Sequence, residues 1–330
     1  MASPLCAATG CSRRRQSTGR GVALAASAGW RAQFGAMPLL SVISDTPGAG
    51  KTGVAASVAR DLAYTGRRVW LVRGEGPDDA SNAAADAHWF STLEFAPGSA
   101  STPVGASMIP PPSGDEIVVA ELEEALERSD ATILVTRGLP DEARVAEVAP
   151  TAVVALDVAT SALADATDEV GGAPLVAVAE DRTLAGFSVS EAQATLRAET
   201  LVEGDGLDPT CDHLVIAPIG SDSGQPYLER FETKAVVVRF DKTDQHLAAL
   251  ATEPACLILT GGRRPSEYLF DAASARGVPV MLSRTDTENT VIALEGIFDR
   301  TRFHGERKLE RMAELLGAAG LSERVAAALG

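Results

Sequence analysis

The stretch Ser44-Asp45-Thr46-Pro47-Gly48-Ala49-Gly50-Lys51-Thr52 lies between an apolar run, Leu39–Ile43, and a helix-forming run, Val54–Ala63. Strand, glycine-rich turn and helix in that order leave few folds open. In such a turn the backbone N–H groups from Thr46 through Gly48, Ala49 and Gly50 point at an anion. Lys51 then reaches the β- and γ-phosphates of a nucleotide, and the Thr52 hydroxyl is placed to bind Mg²⁺. The alternative is a tight turn with a surface lysine. The full phosphate-loop pattern calls for glycine at position 45, where this chain has Asp45. A carboxylate there repels a phosphate unless it turns away or faces the metal.

Downstream, short apolar runs alternate with helix-length segments. Arg68–Val72, Thr132–Val135, Ala152–Leu156 and Pro174–Val178 read as strands buried on both faces, which implies a parallel sheet covered by helices on each side. Ligands of such sheets gather at the carboxyl ends of the strands. That brings Arg73 into range as a contact for phosphate or a substrate carboxylate, with Glu75 and Asp157 as candidate Mg²⁺ ligands beside Thr52. The alternative for both Arg73 and Glu75 is an ordinary exposed loop charge. Gly114–Arg128 reads as an amphipathic helix, with Ile117, Val118, Leu122 and Leu126 inward and its glutamates forming a solvated face.

From about residue 205 the strand, polar turn and helix pattern repeats on a smaller scale. Asp241-Lys242-Thr243 and Thr260-Gly261-Gly262 fall at adjacent strand ends, where they form a polar crevice or merely start and cap helices. Residues 1–36 differ from everything that follows: they hold five arginines and no acid. Three readings compete there, an export signal, a disordered arm, and an extension upstream of a true start at Met37; the last is favoured.

The formal net charge of −16 and a pI near 4.7 argue against nucleic acid or an anionic membrane as main partner. Lysine occurs only at positions 51, 234, 242 and 308, a pattern that suits a cytoplasm of high salt or reflects codon bias. The four cysteines lack metal-ligand spacing and point to a reduced compartment, so a cytoplasmic location is expected.

The loop Ser44–Thr52 resembles the phosphate loop of dethiobiotin synthetase and its relatives. Asp241-Lys242-Thr243-Asp244, Thr260-Gly261-Gly262, Val278-Pro279-Val280 and Thr285-Asp286-Thr287 resemble the DRTGG domain. Together, in this order and with Glu180–Leu184, they resemble the N-terminal regulatory half of long phosphotransacetylases, in its free-standing archaeal form. The resemblance, which covers about Met37 to Leu316, implies an α/β fold: a P-loop NTPase-type parallel sheet with helices on both faces over 37–204 and a smaller DRTGG-like domain over 205–316; the amphipathic pattern adds a C-terminal helix over 317–330. It implies ATP and Mg²⁺ at Gly48, Gly50, Lys51 and Thr52. Dethiobiotin synthetases carry an acid after the strand that here ends at Val135; this chain has Thr136-Arg137-Gly138-Leu139, so that metal ligand is expected to be lost.

Two functions follow. One is an ATP-binding regulatory protein coupling nucleotide to a small ligand or a metabolic enzyme partner, with no catalytic residue assigned. The other is an ATP-dependent, carboxylate-activating ligase. A complete phosphotransacetylase is not expected, and whether the chain forms a homo-oligomer is left open.

Overall fold

The computed structural model describes residues 37–74, 80–103, 116–124, 129–164, 166–205, 208–217 and 226–330, without the side chains of 80 and 81. The expectations for residues 1–36 and for Glu75 lie outside the described residues.

The first sheet is built from β1 (Leu39–Ser44), β2 (Arg68–Arg73), β3 (Glu116–Glu121), β4 (Ala131–Arg137), β5 (Ala152–Val158), β6 (Glu169–Val170) and β7 (Ala173–Ala179). Their order is β2-β3-β1-β4-β5-β7-β6, parallel throughout except for the short edge strand β6. Helices α1 (Lys51–Tyr64), α2 (Ala80–Ser91), α3 (Glu142–Val148), α4 (Thr160–Leu163) and α5 (Arg182–Ala185) connect these strands or follow them. Successive residues of β1 enter opposite cores, Leu40 and Val42 on one face and Leu39 and Ile43 on the other, as the period of two requires. The chain leaves β1 toward β2 and later crosses to β4 on its other side, so the carboxyl end of β1 is the topological switch point.

Within the expected helix over 114–128, residues 116–121 form instead strand β3, all six residues of which are buried. Ile117-Val118-Val119-Ala120 is a continuous apolar run inserted between β1 and β2, where both faces are covered and helical periodicity has no meaning. With the helix goes its solvated face: Glu121 is 2% exposed.

The second sheet holds β9 (Glu199–Val202), β11 (His213–Ile216), β12 (Lys234–Arg239), β13 (Cys256–Thr260) and β14 (Val280–Leu282), in the order β11-β12-β13-β14-β9. A two-stranded pair of β8 (Phe187–Ser188) and β10 (Thr210–Cys211) stands beside it. Helices α6 (Val189–Leu196) and α9 (Thr287–Glu295) cover one face, and α7 (Thr243–Leu250) and α8 (Tyr268–Ser274) the other. Strand β9, upstream of residue 205, pairs antiparallel with β14 and so belongs to this second sheet.

The last two helices return to the first sheet. Leu309, Met312 and Leu316 of α10 (Glu306–Ala318), with Leu321, Val325 and Leu329 of α11 (Leu321–Leu329), share a core with Val58 and Leu62 of α1. The second unit is therefore inserted between α5 and α10. The strap 298–305 that leads back seats Phe303 against the first turn of α1, where a Cβ on Gly53 would lie 2.7 Å from the ring. Gly53→Val is expected to displace Phe303 and lower stability by about 2 kcal/mol, the usual scale of overpacking, measurable by urea unfolding. Among the described residues, no helix is long and apolar enough to cross a membrane.

Candidate functional site

The turn after β1 places Gly50 at φ 97° as the N-cap of α1, and no side chain caps the helix. Only glycine fits: a Cβ would strike Leu156 in addition to the left-handed strain. The turn opens into a cavity of about 1060 Å³ lined by both units, including the turn itself, Arg73, Asp86, Glu121 and Asp157, with Asp181 and residues 298–303 of the strap on the far wall.

Two of its cationic residues, Lys51 and Arg73, are 5% and 7% exposed. Lys51 Nζ donates to the Leu122 carbonyl at 3.2 Å and to Glu123 Oε1 at 2.9 Å. Thr52 Oγ1 donates to Glu121 Oε1 at 3.1 Å and stands 3.5 Å from Asp86 Oδ2. Arg73 Nε lies 3.5 Å from Glu121 Oε1 and 3.9 Å from Asp86 Oδ2. Burial pushes the Glu121 carboxyl up to about 7, against the opposing charge of Arg73. Its Oε2 is buried with no hydrogen-bond partner.

Asp86 is held from behind by His304, Nε2 to Oδ1 2.9 Å, whose ring stacks on Trp89. Arg302 donates to Asn82 Oδ1 at 2.8 Å, so the strap grips α2 at two points. Across the cavity, Arg311 pairs with Asp181 at 2.8 Å and Arg307 with Asp212 at 2.6 Å, tying α10 to the N-cap of α5 and to the segment of the second unit that bonds Thr183.

Thr46, Gly48, Ala49, Gly50, Lys51 and Thr52 thus form one turn, and Arg73 stands beside Lys51's partners. Asp45 does not face that cluster: it pairs with Arg144 of α3 at 2.9 Å, which answers the question its carboxylate raised. Asp157 lines the same cavity at φ 52°, paired with Arg137 at 3.1 Å. The acid found missing after Val135 has a counterpart on the other side of β1, Glu121 at the end of β3. Misreading β3 as a helix hid both Glu121 and Glu123. The signal available was a β-branched apolar run closed by an acid.

Asp241-Lys242-Thr243 and Thr260-Gly261-Gly262 do lie at neighbouring strand ends, Arg239 being paired with Thr260. Asp241, Lys242 and Thr243 are exposed, whereas the polar groups of the second stretch are bonded within the turn. Gly261 N–H donates to the Thr285 carbonyl and Gly262 N–H to that of Ser283, while the Thr260 and Thr287 hydroxyls bond each other at 2.8 Å. The glycines close a turn at φ 95° and 66° and do not present free N–H groups.

Residues 191–297 match the DRTGG domain family. A crystal structure of the CBS and DRTGG domains of the regulatory region of Clostridium perfringens pyrophosphatase, complexed with the activator diadenosine tetraphosphate, is similar at 18% identity with a TM-score of 0.28. That similarity covers 34% of this chain and 46% of the other. The chain is thus a mixed α/β protein with a large, mostly parallel sheet and a DRTGG domain.

Proposed function

We propose that this chain is a cytoplasmic ATP-binding regulatory protein. The nucleotide phosphates lie on the turn 46–52, and the strap and α10 couple that turn to the DRTGG domain. In this reading the first unit is a P-loop NTPase-type domain of the dethiobiotin-synthetase kind. The observation that carries the reading is the Thr52 hydroxyl on Glu121, 3.1 Å apart, one residue beyond Lys51 at the switch point of a parallel sheet. The buried, partnerless Glu121 Oε2 beside a hydroxyl suits a hard divalent cation. Thr52 and Glu121 would hold Mg²⁺, which when bound neutralises phosphate charge. Lys51 and Arg73 supply the fixed positive charge, in a wall dry enough for that charge to act strongly.

Calorimetric titration of MgATP tests the reading: saturable one-site binding is expected, and an absence of binding overturns it. Glu121→Gln is expected to lose the affinity gained from Mg²⁺, by tenfold or more when titrations with and without EDTA are compared.

A second reading, an ATP-dependent ligase, is favoured by the cavity. At about 1060 Å³ it exceeds the usual ligand pocket and leaves room for a second substrate beside Arg182 and Arg300. ADP release stimulated by one member of a panel of diamino and dicarboxylate compounds would favour it. Slow turnover unaffected by the whole panel favours the regulatory reading.

A further inference from the structure

The cationic pair at the turn already holds an anion, and that anion is the chain's own. Glu123 Oε1 accepts from Lys51 Nζ at 2.9 Å and from both Arg73 Nη1 and Nη2 at 3.4 Å, so three donors converge on one carboxylate oxygen. The two cations are buried, whereas the Glu123 side chain is 46% exposed. The carboxylate therefore reaches inward from a bend just beyond β3, with water at its back. Partial burial alone would raise its pKa. The hydrogen bond and charge of Lys51, with those of Arg73, outweigh that and hold it below the ordinary carboxylate range.

We propose that Glu123 is a built-in competitor for the phosphate position, an internal latch that a nucleotide displaces when its phosphate oxygens take over Lys51 and Arg73. The proposal rests on the nucleotide reading given above and adds how that site is regulated. The phosphates and Glu123 carry the same sign and seek the same donors. Two anions cannot share donors this deeply buried at hydrogen-bond distance without strong repulsion. Lys51 retains its bond to the Leu122 carbonyl, so the loop stays anchored at one point while the Glu123 side chain swings outward.

Two consequences separate a latch from a merely structural ion pair. The protein's apparent affinity for nucleotide is reduced by the fraction of molecules in which the latch is shut. By reciprocity, whatever draws Glu123 outward, a partner surface included, raises nucleotide affinity by the same factor.

Glu123→Ala and Glu123→Gln, titrated with MgATP beside the full-length wild type, are expected to bind about tenfold more tightly. Both are also expected to melt at a lower temperature without nucleotide, because two buried cations lose one shared anionic partner, and to gain more from MgATP than the wild type does. Lys51 is one of only four lysines, so its acylation by an anhydride can be followed peptide by peptide; it is expected to be faster in both variants. Equal or weaker binding by the variants, with wild-type binding still dependent on Lys51, overturns the latch and leaves the nucleotide site standing. No binding by wild type or variants overturns both.

Discussion

Lys51→Ala is expected to weaken MgATP binding at least 100-fold, about 2.7 kcal/mol, as read by calorimetry beside the wild type. The side chain is 5% exposed and projects from the first residue of α1, and Lys51 is the one lysine among the residues lining the cavity. Its ammonium is a fixed, buried point charge, and its hydrogen bond to a phosphate oxygen is charge-assisted on both sides and worth about twice a neutral one. Truncation also leaves Glu123 without its nearest cation, so a carboxylate faces the incoming phosphates. Lys51→Arg keeps the charge but not the shape, and is expected to recover only part of the affinity. Undiminished binding by Lys51→Ala would mean that the turn is not the phosphate cradle.

The second large effect concerns stability and pH. Lys308 of α10 is 1% exposed and donates to the Arg302 carbonyl at 2.7 Å and to Thr301 Oγ1 at 3.1 Å. Burial lowers its pKa from 10.5 to about 8, against the opposing pull of Glu191 and Asp212. Below pH 8 the lysine is charged in both folded and unfolded chains, and the fold carries the whole penalty of burying that charge. Between pH 8 and 10.5 the unfolded chain keeps the proton that the folded chain has released, so stability rises with pH. The rise attributable to this group is about 3 kcal/mol. In Lys308→Met it is expected to be absent. Urea unfolding of both proteins at pH 7 and pH 10 isolates it, because the other titrating groups are common to the two. Identical pH responses would show that Lys308 is better solvated than its burial implies.

What could be read from the sequence follows from how local each feature is. The turn 44–52 and the strands β1, β2, β4, β5 and β7 are fixed by neighbouring residues, apolar runs broken by glycine and charge, and they fold as their composition dictates. Strand β3 defeats that logic because a short strand buried on both faces shows no alternation. Its acids at 121, 123 and 124 then complete a false helical face. The contacts that complete the site are of another kind. Glu123 lies 72 residues from Lys51, Arg144 lies 99 from Asp45, and His304 lies 218 from Asp86. No periodicity records such pairs; they exist because β3 enters beside β1 and because α10 returns to α1. The same holds for β9, four residues whose partner strand, β14, comes some 80 positions later.

That return of the chain has a mechanical consequence. The second unit is attached at both ends, once between α5 and β8 and once along the strap before α10, and α10 pins each: Arg311 on Asp181 and Arg307 on Asp212, which also accepts from Thr183 of α5, hold the first, and Lys308 on Thr301 and the Arg302 carbonyl holds the strap. A body hung from two such points cannot tumble as one on a single tether does. Both attachments contribute to the wall of the cavity, through Asp181, Asp212 and Phe303. A change in the width of that cavity therefore strains both attachments at once.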